Sequence, residues 1–406
     1  MNKCVKQLTS ILSISLGMRL FSMSIIIPFL SSYALNLEGG SPALTGYALG
    51  IYGLTQAIFQ IPLGALADRI GFKKVMIMGL VLLIAGLIIA ALATSVYWLI
   101  FARALQGSGA IVTVGYSWIS SVSSDSDRDR ELTRLGAIIG LFTMLSYTLG
   151  PLIHIFMSIS QMFFFSAFLI LCCMIWVITC THQVAPEKRI QYASQRKKNK
   201  SVFNRNNFSL GLLLTINSVI MLAFFFMISL LLNGIMKTED MWEILTPSII
   251  IAIGLLPVFS KLSSRGNPRL VLISLFLMEG FGFAMLFLGN FTQILIGTAL
   301  IMTGSFAVTT IIPMLANRNI ENNQRGKGNG VILSLQYLGA FLGATFTGYF
   351  WSISELSAFI FVWIVAALSI FLIFSISFKK RIINKTGSPV KSCDTATSVD
   401  TYTKDL

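Results

Sequence analysis

Charge is scarce in this chain of 406 residues: 11% are Asp, Glu, Lys or Arg, where a soluble domain carries about 25%. A chain so poor in charge cannot cover a water-facing surface, and the 55% hydrophobic content puts it in a bilayer. Acids are the scarcer sign, 16 against 30 basic residues, and there are two histidines. Five cysteines (Cys4, Cys172, Cys173, Cys180, Cys393) fall in no metal-ligand spacing. They read as free thiols packing as small hydrophobes, and no metal is expected. No His-Glu-x-x-His, Gly-x-Ser-x-Gly or Walker A loop occurs; Gly326-Lys327 is followed by glycine and lacks the upstream one. These absences argue against an enzyme, a bound cofactor and an ATP-driven pump. Energy for any transport then comes from an ion gradient or from the solute's own.

What is abundant is apolar sequence in long runs. A span needs about 20 mostly apolar residues, and twelve runs qualify: Leu8–Leu35, Leu44–Leu66, Val75–Thr94, Tyr97–Ser120, Leu135–Met157, Met162–Cys180, Phe208–Leu232, Met241–Ser260, Leu270–Leu288, Phe291–Ala316, Gly330–Trp351 and Leu356–Phe378. The first exceeds the length of a signal-peptide core and ends in no small-residue cleavage site, so it reads as a retained span. The expected fold is all-α and integral to the membrane, with six-helix halves at 1–182 and 208–378. Between them lies a basic linker, 183–207, and after them a Ser/Thr-rich tail, 379–406, expected to be disordered.

The net charge of +14 raises nucleic acid as a partner, but its distribution answers otherwise. With the N-terminus in the cytoplasm, 27 of the 30 basic residues fall in cytoplasmic segments; Arg19 and Arg103 lie inside spans and Lys237 in an outer loop. The positive-inside rule then sets both termini in the cytoplasm. The basic linker reads as a solvated segment near anionic lipid head groups.

Between the second and third spans stands Gly64-Ala-Leu-Ala-Asp68-Arg69-Ile-Gly71-Phe-Lys73-Lys74. Gly64 and Gly71 read as positions that let two helices approach, and the charges as contacts that hold helix ends in one conformation and release them in another. After the eighth span, Ser264-Arg265-Gly-Asn-Pro-Arg269 is a faint echo that keeps the bases and loses the acid. Gly339, Gly343 and Gly348 in the eleventh span similarly answer Gly136, Gly140 and Gly150-Pro151 in the fifth.

The Gly64–Lys74 spacing resembles motif A of the major facilitator superfamily. Arg103, Gln106, Gly107 and Gly109 resemble its motif B. Gly140 with Gly150-Pro151 resembles motif C of its drug/proton antiporter branch, and Pro28 the proline-bearing motif of that branch's first helix. Gly50–Gly64 and Arg103–Ile111 are similar to a subgroup of bacterial efflux transporters, although the tail here is too short for the extra soluble domain known there. The resemblance implies two pseudo-repeat halves around a central cavity, alternating access, and motif A as a latch. Two departures stand out. His154 and Ile155 occupy the region where motif C usually has a glycine pair. The fourth span ends Ser120-Ser121-Val-Ser-Ser with no acid to meet Arg69, the nearest being Asp125.

Ionisable groups inside spans are costly and point to function. Arg19 lies about 16 Å into the first span at 1.5 Å per residue, which favours a cavity-facing role. Arg103, about two turns into the fourth span, either binds an anion or organises packing. Glu279 is the lone carboxylate deep in a span, and His154 the lone histidine at membrane depth; each is a candidate proton site or a packing group. Asp68 joins them as a proton-site candidate on the family resemblance. Gln56, Gln60, Tyr116 and Gln336 add polar handles to a candidate cavity with Arg19, while Phe224-Phe-Phe-Met227 offers apolar surface.

The leading expectation is a proton-coupled exporter of amphipathic or drug-like compounds, monomeric, in a bacterial inner membrane. Uptake or exchange of an anionic metabolite is the alternative, because both deep first-half charges are positive. A membrane enzyme or a transport-dead receptor ranks below these. The expected partners are a small-molecule substrate, protons and lipid, with no nucleic acid.

Overall fold

A computed structural model describes residues 3–124, 127–181, 205–233, 235–319 and 325–376. The expected tail, and the linker as far as residue 204, lie outside the described residues, as does Asp125. Twelve helical segments are long and apolar enough to cross a membrane, and no strand occurs among the described residues. A backbone in hydrocarbon has to satisfy its own hydrogen bonds, and a helix does so within one segment. The helices are α1 (Lys3–Ser24), α2 (Ile27–Leu35), α3 (Pro42–Ile70), α4 (Phe72–Ala91), α5 (Val96–Ser108), α6 (Val112–Val122), α7 (Arg128–His154), α8 (Ile159–Cys180), α9 (Arg205–Leu232), α10 (Trp242–Arg265), α11 (Pro268–Leu288), α12 (Phe291–Asn319), α13 (Arg325–Ile353) and α14 (Glu355–Ser375). The seventh span thus begins at Arg205, inside the stretch expected to be linker.

Among the described residues fourteen α-helices make twelve spans, because two runs that read as continuous are broken. The first span turns at Ile25–Ile26. Pro28, in the first turn of α2, has no N–H to give the carbonyl four residues back, so the ladder stops before it. The fourth span is interrupted at Gly109–Ile111. There the backbones of two neighbouring helices press in: Gly107 faces the Tyr52 carbonyl and Gly109 the Gly79 carbonyl, with no room for a Cβ at either. Periodicity could not reveal this, since the residues through both breaks are as apolar as those around them.

One end of the bundle carries Arg69, Lys73, Lys74, Arg134, Lys261, Arg265 and Arg269; the opposite end carries Glu38, Glu239, Asp240 and Glu355. At that acidic end the halves are tied together. Ser32 N–H donates to Ser229 Oγ at 3.0 Å, Asn233 Nδ2 to Ser32 Oγ at 3.1 Å, and Thr246 Oγ1 to the Thr148 carbonyl at 3.3 Å. The longest seam between the halves runs along α3 and α13. A Cβ at Gly50 would lie 2.8 Å from the Phe341 carbonyl, and one at Gly53 2.5 Å from that of Tyr337. Such backbone contact is how helices associate where the hydrophobic effect offers no driving force between them.

The faint repeat has a structural counterpart at the basic end. Lys73 Nζ donates to the carbonyls of Ile178 at 2.8 Å and Thr181 at 3.0 Å, closing the C-terminus of α8. Arg269, its partner in the repeat register, donates from Nη2 to the Ile376 carbonyl at 2.8 Å, just past α14. Each cation fills orphan carbonyls at the end of its half's last helix and faces the negative end of that helix dipole. Lys73→Ala should raise amide hydrogen exchange at residues 178–181 several-fold, the scale of a lost charge-assisted hydrogen bond of about 1.5–3 kcal/mol. Lys74→Ala, whose side chain is exposed, should not. Equal exchange in all three proteins would show that Lys73 clamps nothing.

Candidate transport site

Two guanidiniums are buried among the helices of the first half. Arg19 on α1 is wholly buried. Its Nη2 donates to Gln56 Oε1 at 3.3 Å and to the Gly109 carbonyl at 3.1 Å, so it spans from α3 to the break in the fourth span. Gly109 is positioned for this because the chain leaves the helix there. Tyr52 of α3 and Tyr337 of α13 lie close enough to Arg19 to feel its charge. Arg19 and Gln56, grouped from the sequence, therefore meet. Tyr116 lies near Tyr337, and Gln336 is half-buried beside it on α13.

Arg103 on α5 is buried too, but its surroundings are internal to the first half. Nη1 donates to Gln106 Oε1 at 2.8 Å, and the guanidinium lies 4.4 Å from the centroid of the Tyr52 ring, a cation–π contact strengthened by desolvation. Gln106 Nε2 donates to the Gly86 carbonyl at 3.0 Å. Arg103 thus ties α5 to α3 directly and to α4 through Gln106. Tyr52 sits between the two cations and feels both.

Above this polar layer Tyr147 of α7 stacks on Phe225 of α9 at 4.8 Å and faces Phe306 of α12 at 6.1 Å. Tyr147 is near Ser24, Tyr52 and Tyr337, so aromatic surface from both halves adjoins the cations. Tyr52, Tyr337, Tyr147 and Phe306 were not singled out from the sequence. Tyr52 was within reach, four residues before Gln56 on one helical face; Tyr337 was missed by one position. Tyr147 and Phe306 carried no signal beyond being aromatic.

Other candidates lie elsewhere. Glu279 is buried between α11 and α12, accepting from Ser305 Oγ at 2.9 Å, its carbons against Gly304. His154 is the last residue of α7, half-buried, and ends the fifth apolar segment at the acidic end. Its ring packs 4.4 Å from that of Phe29, its Nδ1 pairs with the Met157 carbonyl at 3.0 Å, and it lines an open cavity of about 650 Å³ with Asn233, Lys237 and Glu239. In motif A, Gly71 has φ +102° and nothing near its Cβ position, so backbone conformation rather than close approach requires glycine there. Gly64 meets only Thr113 Oγ1, at 3.9 Å; the expectation that these two glycines press helices together is corrected. Asp68 is engaged, while Arg69 is exposed and finds no carboxylate among the described residues.

A sequence profile described as the Major Facilitator Superfamily matches residues 12–344. The chain belongs to that family. It is 28% identical over 343 residues to the inner membrane transport protein YajR of Escherichia coli K12, covering 82% of this chain and 75% of that one. This agrees with the subgroup resemblance of Gly50–Gly64 and Arg103–Ile111. It is 23% identical over 363 residues to multidrug resistance protein 2 of Bacillus subtilis 168, covering 84% and 87%. Among solved structures, a bacterial homologue of the human lysosomal transporter Spinster, inward-facing and occupied, superimposes with a TM-score of 0.76 at 12% identity, over 92% of this chain and 97% of that one. This facilitator is therefore a multi-pass membrane transporter.

Its fifth span separates the motif C glycines by their surroundings. A Cβ at Gly150 would lie 2.6 Å from the Ile25 carbonyl, at the break between α1 and α2, whereas one at Gly140 meets nothing within 4 Å. Close packing therefore accounts for glycine at 150 and not at 140. α7 runs through Pro151 to its end at His154. Gly150→Leu should lower stability by about 1–3 kcal/mol through overpacking, and Gly140→Leu by much less. Thermal unfolding of the two purified variants checks this, and equal melting temperatures would contradict it.

Proposed function

We propose that this facilitator exports amphipathic small molecules across a bacterial inner membrane by alternating access, exchanging them for protons, as a monomer with both termini in the cytoplasm. The observation that carries the reading is the layered centre: Arg19, Gln56, Tyr52 and Tyr337 form a polar layer beside the aromatic surface of Tyr147, Phe225 and Phe306. A head group and an apolar body each find a matching surface, and both halves contribute. Closure at the acidic end, with the basic end on the cytoplasmic side by the positive-inside rule, supports a state that loads from the cytoplasm. The names of the YajR and multidrug resistance relatives agree with an inner-membrane transporter and with drug-like cargo. Uptake or exchange of an anionic solute is the second reading, favoured by two buried cations with no carboxylate partner among the described residues.

Proton coupling needs a group that changes protonation between the two facing states. Glu279 sits within one half and is held by Ser305, which supports a packing role. Asp68, at the hinge between α3 and α4, is the better candidate. In proteoliposomes a proton gradient should accelerate wild-type flux of an amphipathic probe. Asp68→Asn should abolish that acceleration, and Glu279→Gln should keep it. Full coupling in the double variant would move the role to His154 or to a proton carried by the substrate. Absence of flux in the wild type would favour a receptor.

A further inference from the structure

We infer that Arg19 is the binding point for an oxyanion on the transported molecule, so that the substrates are amphipathic organic acids such as carboxylates or phosphate monoesters; this rests on the export reading above. Arg19 has five N–H donors. Its Nη2 protons serve Gln56 and Gly109, while Nε and Nη1 have no acceptor among the described residues although the side chain is wholly buried. Both of its acceptors are neutral, and the neighbours that feel its charge are the phenols Tyr52 and Tyr337. A buried cation without a counter-charge bears its desolvation uncompensated, and an anion offered to it gains both the charge pairing and the missing hydrogen bonds.

Arg103 does not share this role. It has unpartnered nitrogens as well, but a ring face and the Gln106 relay hold it against its own half. Arg19 instead lies within electrostatic reach of Tyr337 of the opposite half, so an anion bound there would sit between groups of both halves and link its occupancy to their relative position. The phenols of Tyr52 and Tyr337 lie within electrostatic reach of the same guanidinium, and the Tyr147–Phe225–Phe306 surface would take the organic part.

The test uses matched probes that differ in charge: 2-naphthoate and 2-naphthyl phosphate against neutral 2-naphthamide. Binding is titrated on the full-length protein in phosphatidylcholine nanodiscs, by intrinsic tryptophan quenching. The anions should bind about tenfold more tightly than the amide, the scale of a charge-assisted hydrogen bond. Arg19→Gln should level the three, and Arg19→Lys should keep part of the preference because it keeps the charge but not the fork of donors. If Arg19→Gln does not survive purification, Arg19→Lys decides, and a full wild-type preference in it overturns the inference. Repeating the titration with phosphatidylglycerol added separates a lipid phosphate from a free one: competition there assigns the oxyanion to lipid and overturns a substrate site. Equal binding of anions and amide by the wild type overturns the oxyanion site but leaves amphipathic transport standing. Binding of none of the three overturns both.

Discussion

A backbone carbonyl inside a bilayer has no water to turn to, and the organisation of this transporter follows from that constraint. Helices meet it along almost the whole chain. Where the helix is given up at Gly109–Ile111, the break lies within the protein, enclosed by α3 and α4, and the Gly109 carbonyl accepts from both Ile111 N–H and Arg19. The guanidinium is therefore a substitute for the lost helical partner as well as a charge. One interaction joins the first span, the second through Gln56, and the irregular centre of the fourth.

From this joint the rest of the centre is arranged by sharing. Tyr52 lies against Arg103 and near Arg19, and its backbone carbonyl faces Gly107. A change at Tyr52 would reach the other three. Arg103 and Gln106 fasten α5 to α3 and α4 within one half, whereas Tyr337 brings the second half to the same place. Contact between the halves is thus of two kinds, close glycine packing along α3 and α13 and the polar groups gathered around Arg19.

The two ends of the bundle are held by different chemistry. The acidic end uses neutral hydrogen bonds between halves, Ser32 with Ser229 and Asn233, and Thr246 with Thr148. The basic end uses cations on helix termini, Lys73 and Arg269 in repeat-related places, each acting inside its own half. Neutral contacts carry little desolvation cost and can break and remake, while a cation on orphan carbonyls stabilises the half that moves as a unit. The basic residues of motif A are thus of two kinds: Lys73 holds its own half together, and the exposed Arg69 and Lys74 do not.

Much was legible without coordinates because it depends on composition and spacing. Twelve apolar runs require twelve spans whatever their neighbours, and the Gly64–Lys74, Arg103–Gly109 and Gly140–Pro151 spacings carried the family. Arg19 and Gln56 could be grouped because a cation and an amide at midplane depth have few other places to go. Contacts at long sequence separation were not legible. No local pattern shows that Gly109 leaves its helix, that Gly150 abuts Ile25 while Gly140 abuts nothing, or that Glu279 rests on Ser305 away from the centre. Nor does any local pattern show that Tyr52 and Tyr337, 285 positions apart in the chain, both come within electrostatic reach of Arg19. Hydrophobicity alone decided that this chain crosses the membrane and how often, since lipid sees only the surface of each helix. Which of its few polar groups meet was decided by the packing of one helix against another, where a single glycine or a single turn of register changes the partner.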